Sequence, residues 1–206
     1  MSPFISPPIH SGNEARTQRR APLDELGDAA LFNRLLEGQA KAVDAVRSAE
    51  YQLTGAITAS LRVMERANSR LIYCAAGFCG RVALLDGVEL SPAFNWPGER
   101  IRFVISGGVD TNSGLLNGSG LDGAAARTAL EELAISENDI LVTVSASGTT
   151  PFVVSAMEMA SEVGALCIGF SNSPGSPVLA NADCPVFLDT GDEAVAGFTR
   201  LAAATS

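Results

Sequence analysis

From Arg70 onward the chain alternates between short, nearly unbroken apolar runs and longer stretches with a helical period. The runs are "RLIYCAA" from Arg70, "RIRFVIS" from Arg100, "DILVTVS" from Asp139, "ALCIGFS" from Ala165 and "CPVFLDT" from Cys184. A strand with one solvated face would alternate apolar and polar residues. These runs do not, so they read as strands buried on both faces, the mark of a parallel sheet. Helical stretches lie between them, clearest at Ala124–Leu133 and Pro151–Val163. Parallel neighbours need such crossovers, and the crossovers are right-handed. The pattern predicts an α/β fold: a five-stranded parallel sheet flanked by helices on both faces. Sheets of this kind bind ligands at the C-terminal ends of the strands, where the strand order reverses.

Upstream the period is helical throughout. Leu31, Leu35, Val43 and Val46 share one face, and Leu53, Ile57, Leu61 and Met64 repeat the arrangement. Two helices, or one long broken helix, are predicted over Asp28–Asn68. So short a helical segment needs something to pack against. The first 27 residues are rich in Pro, Ser and Gly and read as an extended tail, or as an arm on another subunit. The predicted organisation is a tail over 1–27, a helical segment over 28–68 and a ligand-binding α/β domain over 69–206.

Composition narrows the function. Of 206 residues 47% are hydrophobic, enough for a real core. The net charge of −9 argues against nucleic acid or an anionic membrane as a partner. No apolar run reaches the length of a membrane span, and the N-terminus lacks the stretch of a signal peptide. His10, in the tail, is the only histidine, which argues against a histidine triad or a zinc site. No metal or cofactor is expected. Cys74, Cys79, Cys167 and Cys184 form no C-x-x-C pair, and reduced thiols in the cytoplasm fit them best.

An anionic ligand would therefore need a local site, and "VSASGTTPF" (Val144–Phe152) supplies one. Ser145, Ser147, Gly148, Thr149 and Thr150 join the third strand to a helix that opens with Pro151. A helix N-terminus offers free amides and partial positive charge. Glycine allows close approach of the backbone, and proline costs nothing in the first helical turn. A single Ser or Thr here would be an ordinary helix cap. The hydroxyls of Ser145, Ser147 and Thr150 around one glycine point instead to an anion, phosphate above all. A weaker copy of this turn, "YCAAGFCGRVALL", follows the first strand. There is no G-x-x-x-x-G-K-[ST], so a nucleoside triphosphatase is not expected.

The loop "SASGTTPF" resembles the phosphate loop of sugar isomerase (SIS) domains, a flavodoxin-like three-layer fold. Within that superfamily the chain most resembles the N-acetylmuramic acid 6-phosphate etherases. The likeness runs through "GFCGRVALLDGVELSPAF", "SASGTTPFVVSAMEMASEVGA" and "GDEAVAGFTRL" in the family's order. It implies a sugar 6-phosphate held by Ser145, Ser147 and Thr150, with Gly77, Cys79, Asn172 and Glu193 at matching positions, and a homodimer with sites near the subunit contact. It also implies a reaction, the removal of D-lactate from C3 of the open-chain sugar. Glu89 aligns with the glutamate that protonates the departing lactate. The family's second glutamate has no counterpart: Asn117 and Gly120 stand where glutamates are expected, and Asp122 is the nearest carboxylate. Restoring glutamate at Gly120 is expected to raise activity, provided the backbone there tolerates a side chain. Cys79 and Phe78 replace a serine and a threonine of the first loop. These departures leave two further readings, a non-catalytic phosphosugar sensor and a phosphosugar isomerase.

Overall fold

The computed structural model describes residues 23–108, 120–195 and 199–206. Most of the predicted tail, with His10, lies outside the described residues, and so does Asn117. The five apolar runs form β1 (Arg70–Ala75), β2 (Ile101–Ile105), β3 (Asp139–Val144), β4 (Leu166–Ser171) and β5 (Cys184–Phe187). All pair in parallel in the order β2-β1-β3-β4-β5. The order reverses between β1 and β3, and the loops that leave these two strands are the serine-rich turn and its weaker copy.

The upstream helical segment is two helices, α1 (Asp28–Ser48) and α2 (Glu50–Met64), hinged at Ala49. α3 (Gly77–Phe94) follows β1 and packs with α2 on one face of the sheet. α4 (Gly123–Glu132), α5 (Pro151–Glu162) and α6 (Pro177–Asn181) cover the other face. A short α7 (Ala202–Thr205) returns against α1. One core, built around Ile72, Leu141, Val153 and Met157, lies under α5. The other, around Tyr73, Ile140, Ile168 and Val186, lies under α2 and α3. No helix of the described residues is long and apolar enough to cross a membrane.

Two contacts fix the frame that carries the loops. Arg70 opens β1 and Asp139 opens β3, and they are register partners. Their side chains form a two-pronged ion pair, with both N–O distances at 2.7 Å. On the other face α3 comes close to the sheet because Gly87 has no side chain. A Cβ there would lie 2.5 Å from the Phe103 ring, which stacks on Tyr73.

Candidate functional site

The serine-rich turn leaves β3 in the middle of the sheet. Val144 is the last strand residue, and Thr150 is the N-cap of α5 with Pro151 first inside the helix. Between them the chain folds back on itself. The Gly148 amide donates to the Ser145 carbonyl at 2.9 Å and lies 3.1 Å from the Ser145 Oγ. The Ser145 and Thr150 hydroxyls are 3.0 Å apart. The Thr149 amide and hydroxyl both reach the Ser147 Oγ, at 3.3 and 3.2 Å. Ser145 is buried, Ser147 half-buried and Thr149 exposed, so the hydroxyls run from the core to the surface.

Gly148 has φ +64, and no other residue would fit. A Cβ there would lie 2.1 Å from the Ser176 Oγ and 2.6 Å from the Ser171 Oγ. The segment after β4 thus braces the turn from behind. Asn172 N–H and the Ser171 and Ser173 hydroxyls all donate to the Ala146 carbonyl. Asn172 itself is buried, and its side-chain amide donates to the Leu188 carbonyl and the Ser206 hydroxyl at 3.0 Å each.

The weaker copy sits beside it. Gly77, with φ +55, opens α3, and Phe78 and Cys79 follow in its first turn. The two turns and Gly120 wall a cleft of about 340 Å³, closed on the remaining side by Thr199 and Arg200. This lies within the usual range of about 300–1,000 Å³ for small-molecule sites. Burial pushes the Cys79 thiol up, while the Ala146 amide and the Arg200 charge act in the opposite direction. The Arg200 guanidinium lies over the Phe78 ring, 5.7 Å from its centre.

The structure brings Cys79, Ser145, Ser147, Thr149 and Thr150 together on this cleft, with Gly77 and Gly148 in the turns that carry them, but not Asn172, which lines an adjoining pocket, nor the predicted carboxylates. Glu89 is exposed on α3, twelve residues beyond Gly77, or about 18 Å along a helix. Asp122 is the N-cap of α4 and accepts the Ala125 amide at 2.9 Å. Glu193 is almost fully buried and accepts the Ala202 and Ala203 amides, so it anchors α7. Arg200, which like Glu193 matches a family position at the site or the subunit contact, lines the cleft, although nothing local links it to a loop fifty residues away.

Gly120 faces the cleft, and its geometry answers the question the sequence leaves open. Its φ is +74, and a Cβ would lie 2.8 Å from Thr150 Cγ2 and 3.0 Å from Ala76 Cβ. Its amide donates to the Ser106 hydroxyl and its carbonyl accepts the Phe152 amide. The proviso of a tolerant backbone is not met. Gly120→Glu should destabilise the fold by about 1–3 kcal/mol through strain. It should also displace Thr150 and weaken sugar phosphate binding. Unchanged melting and affinity in the variant would contradict this geometry.

A parallel β2-β1-β3-β4-β5 sheet with a hydroxyl-rich, helix-capping loop at its switch point is the architecture of an open α/β ligand-binding domain. A family model, "SIS domain", matches residues 122–206. The chain is 44% identical over 186 residues to the N-acetylmuramic acid 6-phosphate etherase of Deinococcus radiodurans, covering 90% of this chain and 61% of that protein. It is 36% identical over 197 residues to the etherase of Rubrobacter xylanophilus, covering 94% and 65%. The chain thus spans less than two thirds of the length of these relatives. Among solved structures it resembles a protein of E. coli CFT073, with TM-score 0.58, 15% identity and coverage of 87% and 85%, a likeness of fold alone. Residues 122–206 thus match the SIS domain, and over nearly its whole length the chain is similar to N-acetylmuramic acid 6-phosphate etherases.

Proposed function

We propose that the chain binds a sugar 6-phosphate and acts as an N-acetylmuramic acid 6-phosphate etherase in the cytoplasm. The observation that carries this reading is the loop Ser145–Thr150, with its hydroxyls, a positive-φ glycine and a helix N-terminus on one cleft. It sits within a chain similar to etherases along nearly its whole length. The phosphate would take the loop's amides and hydroxyls, which need no basic residue. A base removes the C2 proton of the open-chain sugar, and the electron pair expels the C3 oxygen. Glu89 protonates the departing lactate, and water then adds to C3. Carboxylates suit such proton transfers. The test is lactate release from N-acetylmuramic acid 6-phosphate, together with C2 exchange in deuterated water.

One observation favours the sensor reading: no carboxylate lines the cleft among the described residues. Phosphosugar binding without exchange or lactate release would select it.

The same observation, taken with Glu89, supports a homodimer. Glu89 is too far along α3 to serve its own cleft. Its neighbours on α3, Leu85 and Val88, are 66% and 46% exposed, and Ile57 and Leu61 on α2 are 60% and 61% exposed. So much uncovered apolar surface beside a candidate acid fits a second copy packed there, with Glu89 reaching across to the partner's cleft.

Ser147→Ala should weaken binding of sugar 6-phosphates at least about tenfold and leave the unphosphorylated sugar nearly unaffected. A hydrogen bond to a charged group is worth roughly 1.5–3 kcal/mol. Equal losses for both ligands by calorimetry would place this serine elsewhere.

A further inference from the structure

The cleft adjoins a larger space. Phe78, Cys79, Ser145, Ala146 and Thr199 line the cleft and also line a chamber of about 520 Å³. The chamber lies between α2, α3 and the sheet face beneath them, with Leu53, Met64, Val82, Val142 and Ile168 among its walls. Its polar groups are already engaged. The Tyr73 hydroxyl donates at 2.7 Å to Asp86, the one charged side chain among the described residues that line the chamber. The Ser60 hydroxyl donates to the Ala56 carbonyl, and the Asn172 amide to Leu188 and Ser206. The Trp96 indole N–H has no partner, but it is buried and not exposed to the chamber. Such a space asks for no hydrogen bond, and hydrocarbon fills it best. The junction points the same way. Phe78 and Cys79 replace a threonine and a serine of the family, so two hydroxyls have given way to a ring and a thiol where cleft and chamber meet.

We infer that this chain takes an amino-sugar 6-phosphate whose N-acyl chain is longer than acetyl, with the phosphate on the Ser145–Thr150 turn and the hydrocarbon in the chamber. The inference rests on the sugar-phosphate reading of that turn and deepens it. Of the two substituents on the proposed substrate, the lactyl ether ends in a carboxylate and the N-acyl group in a methyl. Only the second can lengthen into an apolar chamber without burying a charge. The competing occupant is a second copy entering past Ile57 and Leu61, which line the chamber and are exposed. The shared wall favours the ligand, because it sets the chamber beside the phosphate turn.

The experiment measures calorimetric affinity for N-acetylglucosamine 6-phosphate, N-hexanoylglucosamine 6-phosphate and unphosphorylated N-hexanoylglucosamine. Burying one methylene is worth roughly fourfold in affinity, less the cost of ordering the chain. The hexanoyl phosphate should therefore bind at least about tenfold more tightly than the acetyl phosphate, and the unphosphorylated probe more weakly than its phosphate. Ser147→Ala should weaken both phosphates alike. Ala83→Leu on α3 and Ala56→Leu on α2 narrow the chamber from two sides. Either should cut the preference for hexanoyl to about threefold or less and change acetyl phosphate affinity less than about twofold. If neither variant folds, the chain-length preference of the unsubstituted protein decides. Equal affinity for the two phosphates would show that something else fills the chamber, a second copy first of all. That result, or a preference unchanged in a folded narrowed variant, overturns the inference and leaves the sugar-phosphate reading standing. Equal binding of hexanoylglucosamine with and without phosphate would also overturn it, since the chain would then bind apart from the turn. Failure to bind either phosphate would remove the sugar-phosphate reading as well.

Discussion

Replacing Arg70 with methionine should destabilise the fold by about 3–5 kcal/mol, the cost of breaking a buried ion pair from one side. Asp139 is fully buried, and its carboxylate takes two prongs from Arg70 as well as the Ser136 amide and hydroxyl. Without Arg70 a charge would remain inside the protein with only Ser136 beside it. Asp139→Ala should cost less. The Arg70 side chain is 22% exposed, and its Nη atoms also donate to the Leu133 and Ala134 carbonyls. The melting point of Arg70→Met should fall by roughly 6–20 °C for a chain of this size. The double variant should be less destabilised than the sum of the two single ones. The pair also opens the two strands whose far ends carry the cleft, so a slip in their register would move both turns. Equal melting of the single variants and the unsubstituted protein would show that the pair carries no weight.

The strands were legible because a parallel sheet buried on both faces leaves unbroken apolar runs, and all five runs became strands, four of them to within a residue at either end and the fifth three residues shorter than its run. Helices 123–132 and 151–162 were legible by their period. α3 was recognisable only at its start, because Gly77, Gly80, Gly87 and Pro92 dilute its pattern. Two of these glycines have buried roles. Gly80 and Gly87 lie on the face against the sheet, where Phe103 leaves no room for a side chain at Gly87. Tertiary packing, not propensity, made that stretch a helix. The serine-rich turn was legible because its chemistry is local, with every hydroxyl within six residues. The rest of the cleft was not. Arg200 was pointed to only by the family resemblance and not by any local chemistry, and the direction of Glu89 depends on the phase and length of α3. Glu193 is absorbed in holding α7, a tertiary fact with no local signature.

Mixing two defective proteins should restore activity, and this result bears most directly on how the site is assembled. If Glu89 serves the partner's cleft, Glu89→Gln removes the acid from one site while Ser147→Ala weakens the phosphate turn of the other. Alone, Glu89→Gln should lose about 10²–10⁴-fold in lactate release, the usual cost of a missing general acid. Ser147→Ala should retain about a tenth of the activity when substrate is well below KM. Co-expressed with two different tags, the variants pair at random, and half of the dimers carry one of each. Each mixed dimer has one site with Ser147 from one chain and Glu89 from the other, and one site with both defects. The mixture should then recover about a quarter of the unsubstituted activity, as expected for a two-fold symmetric pair with shared sites. If each chain supplied its own Glu89, no intact site could form, and the mixture would stay near a twentieth, carried by the Ser147→Ala clefts alone. That outcome, or a monomer by light scattering at micromolar concentration, would sink the shared site. The exposed Leu85 and Val88 beside Glu89 would then need another explanation.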